Sequence, residues 1–282
     1  MLRLAANTAG RTSSLKIAVG YEFIYQLPQP TPMILALNVH SSRAGDIIVA
    51  DVMTTFPVVP ITFHLDGFGN QCARLVAPAG LFRLASAGTV IDSDTPDPVV
   101  ADAVQHEVED LPLATLPFLL GSRYCETDVL GDIAWNLFGD TKPGWARVQA
   151  VCDFVHKRIK FDYMQARNTR TALQGYQEQV GVCRDYAHLG VALCRALNIP
   201  ARYCTGYLSD IGEPLPHPPG DFAGWFEAYL GGAWHTFDPR NNKPRLGRIL
   251  MAYGRDAADV ALCNIFGPSV LESFTVWTHE AI

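Results

Sequence analysis

The sequence predicts an α+β protein: an N-terminal β-sandwich, residues 1–98, followed by an α+β core, residues 99–282. Three observations carry this. Short β-branched and aromatic runs separated by Gly, Pro and Asp fill the first third. Ser93 to Pro98 then holds only Ser, Asp, Thr and Pro, the composition of a linker. Helical apolar spacing dominates afterwards, until a Gly-Gly turn marks a hairpin.

The β unit is read over residues 12 to about 96. Its strands are Leu15 to Tyr25, Pro32 to Val39, Asp46 to Thr54, Val59 to His64, Cys72 to Val76, Phe82 to Ser86 and Thr89 to Asp92. Asp66-Gly67-Phe68-Gly69-Asn70 is a strong turn signal, because Gly and Asn tolerate positive φ. Beyond the linker, Leu130 to Phe138 reads as a helix. Pro143 to Ile159 reads as another, with Trp145, Val148, Cys152, Val155 and Ile159 on one face, Thr141 as N-cap and Pro143 in the first turn. Thr171 to Glu178 is a short helix or turn. Cys183 to Leu197 is apolar on most sides, which predicts a helix buried on most sides, ended by Asn198 and Pro200. Strands are expected at Ala201 to Leu208, Trp225 to Leu230, Ala233 to Phe237, Ile249 to Tyr253, Ala257 to Ala261 and Ser273 to Thr278.

Composition narrows the function. The chain has 282 residues, 49% of them apolar and 18% charged, enough to build a sizeable core. A net charge of −6 argues against a nucleic-acid surface. No run reaches the roughly 18 apolar residues of a membrane span, and Met1 to Ser14 lacks the apolar stretch of a signal peptide. A cytoplasmic protein is expected. The seven cysteines are scattered without a C-x-x-C pair, so neither a zinc ribbon nor a thioredoxin motif is available.

Among them only Cys183 opens a helix. The dipole and the free N–H groups of a first turn favour a thiolate, the nucleophile of acyl transfer. The same residue is equally compatible with a small buried apolar role. A hairpin carrying polar residues follows, which is the layout of thiol enzymes that pair Cys with a His base and a carboxylate or amide.

Gly181-Val182-Cys183-Arg184-Asp185-Tyr186-Ala187-His188, then Asn198-Ile199-Pro200-Ala201-Arg202-Tyr203, Trp225-Phe226-Glu227-Ala228-Tyr229 and Trp234-His235-Thr236-Phe237-Asp238-Pro239 resemble the bacterial transglutaminase-like proteins, a papain-like superfamily of cysteine proteases. Ser122 to Cys125, Gly144 to Val148 and the N-terminal β region fit the same family, so the resemblance covers nearly the whole chain. It implies a Cys-His-Asp triad whose Cys falls on Cys183 and whose Asp falls on Asp238. The family's His sits in an Asp-Phe-His-Ala-Trp segment, which here reads Asp221-Phe222-Ala223-Gly224-Trp225. Ala223 therefore stands where the base belongs.

Other histidines fit the role poorly. Pairing Leu230 with Ala233 across the turn places Ala223, Trp225, Glu227, Tyr229, Trp234, Thr236 and Asp238 on one face and His235 on the other. His188 lies five residues along the helix from Cys183, about 140° around it. His156 falls on the exposed side of its helix. His217, in the Pro-rich loop, is the weak substitute. Asp185 suits a first helical turn as a structural residue. Trp225, Glu227 and Tyr229 are candidates to line a substrate groove, with packing as the alternative for the aromatics and a solvated face for Glu227. The resemblance implies a peptide or amide substrate and no cofactor; no Asp-rich calcium loop is present and no metal is expected. Loss of the imidazole leaves two readings: an acyl-transfer protein of reduced or altered activity, and an inactive pseudoenzyme that keeps the groove for a peptide or partner. A thiol sensing oxidants is a third.

Overall fold

A computed structural model describes residues 14–281. Residues 1–13, and with them most of the Met1 to Ser14 stretch read for a signal peptide, lie outside the described residues. Seven strands come first: β1 (Ser14–Leu27), β2 (Thr31–Leu35), β3 (Ile47–Val49), β4 (Thr54–Phe56), β5 (Thr62–Leu65), β6 (Gln71–Ala77) and β7 (Gly80–Ser93). The helical part follows as α1 (Thr127–Phe138), α2 (Trp145–Arg158), β8 (Lys160–Phe161), α3 (Ala172–Glu178), β9 (Val180–Gly181) and α4 (Cys183–Ala196). Strands β10 (Ala201–Leu208), β11 (Ala223–Leu230), β12 (Ala233–Phe237), β13 (Arg248–Gly254), β14 (Cys263–Ile265) and β15 (Val270–Glu280) complete the chain.

The fold is α+β, with a sandwich of two sheets at the N-terminus. One sheet runs β15-β1-β7-β3, with β4 also on β7; the other runs β14-β2-β6-β5. Both therefore take a strand from the C-terminal end. β15 lies antiparallel along β1, and β14 pairs with β2. Strands within residues 263–280 thus pair with the two sheets formed by the first 98 residues. A long apolar strand such as β1 buries Ile17, Val19, Tyr21, Phe23 and Tyr25 on one side, and its unpaired edge needs a partner that no strand of the first 98 residues supplies.

The core is built on a third antiparallel sheet, β12-β11-β10-β13, packed against α4. One face of β11 and β12 sends Phe226, Ala228, Leu230 and Phe237 into a cluster with Leu189, Leu193, Val148 and Val151. Tyr207, Ile249 and Met251 from β10 and β13 join the sandwich cluster instead. The core sheet thus packs on helices on one side and on the sandwich on the other. From Asp185 to Arg195, α4 is buried throughout, as its all-round apolar pattern predicts.

Local differences have local causes. β7 is one strand where two were expected. The Pro143–Ile159 helix begins at Trp145, and its N-cap is Gly144 at φ 94, not Thr141. A Cβ at residue 144 would meet the Ala103 carbonyl at 2.4 Å. That carbonyl instead accepts the Trp145 N–H, while the Thr141 hydroxyl donates back to Phe138 O. Residues 257–261 form turns, not a strand, because Asp256 Oδ1 accepts the Ala258 N–H and Oδ2 that of Tyr124. The hairpin has the expected register: Leu230 pairs with Ala233, Tyr229 with Trp234 and Ala228 with His235.

Candidate active site

Cys183 is the first residue of α4. Its position follows from the turn before it. Asp185 Oδ2 accepts the Val182 N–H at 2.9 Å and also takes the buried Arg170 guanidinium at 2.9 Å. Asp185 is therefore structural, as its place in a first turn suggested. The α4 start is held against β11 because residue 224 is glycine: a Cβ there would lie 2.9 Å from the Tyr203 hydroxyl and 3.4 Å from the Arg184 backbone. The Gly224 N–H reaches the Cys183 sulfur, and that sulfur is 4.0 Å from the Phe222 carbonyl.

Two cavities meet at Cys183. The larger, about 540 Å³, lies between the α4 start, Tyr203 and the 257–264 segment that leads into the sandwich. The smaller, about 70 Å³, is bounded by Phe161, Tyr163, Arg240, Asn241 and the 218–220 loop. Ala223 lines both, so the position of the absent imidazole does face the thiol.

The thiol is not activated in the way a helix start suggested. Part of Cys183 stays accessible, yet packing around its sulfur and then the nearby Asp221 carboxylate push it up to about 11. The Gly224 N–H and Arg240 act in the opposite direction and do not overcome this.

Asp238 is buried and engaged. Its Oδ2 accepts from Asn241 Nδ2 at 2.7 Å and from Arg248 at 3.0 Å, and Oδ1 takes the Asn241 N–H at 3.0 Å. Burial favours the protonated carboxyl; the Arg248 guanidinium and the Asn241 donors outweigh it and hold Asp238 below its ordinary range. Arg248 also grips Asp97 of the linker and lies 4.7 Å above the Trp225 ring. The residue expected to orient a base is thus paired with a permanent cation.

The expected groove residues do not line either Cys183 cavity. Trp225 is only 1% exposed beneath Arg248. Glu227 pairs with Arg202 at 2.6 Å. Tyr229 packs edge-on to Trp234 near the hairpin turn. Of the histidines, His217 bonds to the Glu213 carbonyl in its own loop at 3.1 Å. His235 bonds to Leu230 O and stacks edge-on to Trp145. His188 is buried against Tyr124, takes the Ala257 N–H on Nε2, and is held neutral chiefly by burial. None of the three lines a Cys183 cavity. Residues that the sequence reading passed over do: Tyr163, Asp221 and Arg240 stand beside the thiol. Asp221 lies two residues before Ala223 in the Asp221-Phe222-Ala223-Gly224-Trp225 segment.

A sequence model of the transglutaminase-like superfamily matches residues 132–239, which contain α4, β10, β11, β12 and Asp238. The Mycobacterium leprae protein ML0607 is 33% identical over 252 residues, covering 85% of this chain and 88% of its own. The chain belongs to the transglutaminase-like family. A crystal structure from Cytophaga hutchinsonii, of a protein described as a proposed cysteine protease, superposes with a TM-score of 0.85 at 31% identity. It covers 95% of this chain and 91% of its own, so the likeness includes the N-terminal sandwich as well as the core. Among the described residues, no helix of this transglutaminase-like protein is long and apolar enough to cross a membrane.

Proposed function

We propose that this transglutaminase-like protein is a thiol acyl-transfer protein acting slowly on peptide or amide bonds through Cys183. The observation that carries the reading is the thiol's position: a helix-start sulfur opening onto two cavities, with Ala223 on both. Cys183 attacks a carbonyl held in the larger cavity, and the first-turn N–H groups of α4 face the oxygen as it gains charge. The Cytophaga relative, described only as a proposed cysteine protease, is in keeping with the same chemistry. Loss of imidazole assistance typically removes about 10²–10⁴-fold in rate, and a thiol near 11 presents little thiolate at neutral pH.

A second reading has its own observation. The Arg248–Asp238–Asn241 cluster takes the triad carboxylate out of service, as in a pseudoenzyme that keeps its groove for a peptide or partner protein. An activated ester separates the two. Incubation with p-nitrophenyl acetate is expected to release p-nitrophenolate slowly and to leave an acetyl group on Cys183, detected by peptide mass spectrometry. Release that is unchanged in Cys183→Ala overturns the enzyme reading in favour of the binding one.

A further inference from the structure

We propose that Asp221 accepts the Cys183 proton in the place the absent imidazole leaves, with Tyr163 as the residue that positions its carboxylate; this rests on the acyl-transfer reading above. The two cavities at the thiol share five lining residues: Cys183 and the run Asp221, Phe222, Ala223 and Gly224. Of these, only Asp221 carries a side chain able to accept a proton. Its backbone neighbour Phe222 already places a carbonyl 4.0 Å from the sulfur.

The carboxylate is held in place by two donors. Tyr163 donates its hydroxyl to Oδ2 at 3.0 Å, and the Phe222 N–H donates to Oδ1 at 2.7 Å. Each oxygen keeps a lone pair for a further proton. The alternatives are committed elsewhere: Asp238 to Arg248, and Asp210, which lines only the smaller cavity, to Arg245 at 2.9 Å. Burial raises Asp221 above the ordinary carboxylate range, against the donors Tyr163 and Phe222 and the Arg240 charge, which makes it a better base.

The step balances. As the sulfur bonds to the substrate carbonyl carbon, the S–H proton passes to Asp221 and the carbonyl electron pair moves to oxygen. Collapse of that intermediate breaks the bond to the leaving amine, which takes the proton back, and leaves a thioester on Cys183. Water then attacks with Asp221 as acceptor; the acid departs and Cys183 is reprotonated.

The test measures acylation by p-nitrophenyl acetate and alkylation by iodoacetamide, each against pH, in the whole chain. The groups that set these profiles are Asp221, Tyr163, Arg240, Asp238 and Cys183 itself, with the Arg245–Asp210 pair at the cavity rim. Asp221→Asn is expected to lower Cys183-dependent acylation at neutral pH at least tenfold while moving the alkylation midpoint of Cys183 to lower pH, because an anion beside the thiol is gone. Opposite movements of the two readouts are the signature. Tyr163→Phe is expected to shift the acid limb of the acylation profile upward, since loss of a donor to the carboxylate raises its pKa. Acylation unchanged or faster in Asp221→Asn, with normal folding by circular dichroism, overturns the proposal alone. Acylation of the unaltered protein that is independent of Cys183 overturns it together with the reading it rests on.

Discussion

The Cys183 end and the Asp238 end of the expected triad have diverged. At Cys183 the structure is open: two cavities reach the sulfur, and a methyl group at Ala223 stands where a ring belongs. At Asp238 it is closed: the carboxylate is buried and satisfied by Arg248 and Asn241, and Arg248 continues to Asp97 of the linker. A catalytic carboxylate that loses its histidine is a buried, uncompensated charge, which is costly. Here an arginine satisfies it. The thiol faces no such penalty when its base is lost, because a neutral thiol is tolerated in packed surroundings. The two ends of the expected triad therefore differ: Asp238 is committed to an arginine, while Cys183, half-buried, is still reached by both cavities.

The largest expected effect breaks the closed end. Arg248→Met removes the cation shared by Asp238 and Asp97 and strands Asp238 in the interior. Loss of one partner of a buried pair typically costs about 3–5 kcal/mol, read as a lower urea midpoint. The same pair predicts a pH dependence. Asp238 is held below its ordinary value, so its contribution is present above about pH 4 and disappears as pH falls through the folded pKa. Asp238→Asn is expected to be less stable than the unaltered protein at pH 7, with the difference shrinking at pH 3. A gap that widens on acidification contradicts the assignment.

The next prediction refits the open end. Ala223→His returns an imidazole between the two cavities, and Cys183 acylation at pH 7–8 is expected to rise. The gain is expected to be roughly 10–100-fold, at or below the low end of the usual range for acid–base assistance, because Arg248 still occupies the carboxylate that would orient the ring. A full gain would mean that the Asp238 cluster yields easily and that the two ends remain coupled.

The sequence carried this contrast unevenly. Periodicity alone located α2 and α4, and the Gly-Gly turn set the hairpin register, because side-chain spacing and turn chemistry are local. Ala223 could be aligned with the family's histidine because the Trp225 to Tyr229 run follows it at the family spacing. What the sequence hid were pairings across long separations. β15 meets β1 from about 250 residues away along the chain, and Arg248 reaches Asp97 across 151 residues. Neither has a local signal. The thiol is a different case: a helix start favours the anion, but packing and Asp221, 38 residues further along the chain, act at the same atom in the other direction.

That reversal gives a sharper measurement at the open end. Iodoacetamide labelling of Cys183 is expected to climb with pH toward a midpoint near 11, with little selectivity over the other accessible thiol, Cys263, at pH 7. A Cys183 midpoint below pH 8 would restore the activated thiolate and would mean that the cavities open further in solution than their packing implies.

The smallest effect tests whether the outer face of the hairpin belongs to either end. Glu227 shares the strand with Ala223, and its sequence position made it a groove candidate. Its carboxylate instead grips Arg202, whose guanidinium lies over the Tyr253 and Trp234 rings, farther along the strand than either Cys183 cavity reaches. Both side chains keep some solvent, at 15% and 14% exposure, so the pair is screened and worth little compared with a fully buried one. Glu227→Gln is accordingly expected to cost about 1 kcal/mol or less in urea and to leave p-nitrophenyl acetate turnover within twofold. Because this change removes a charge four residues from Ala223 on the same strand, it also controls for the Asp221 experiment. If Glu227→Gln lowered acylation as strongly as Asp221→Asn, the loss would reflect the general field of the hairpin, not a proton acceptor at the thiol.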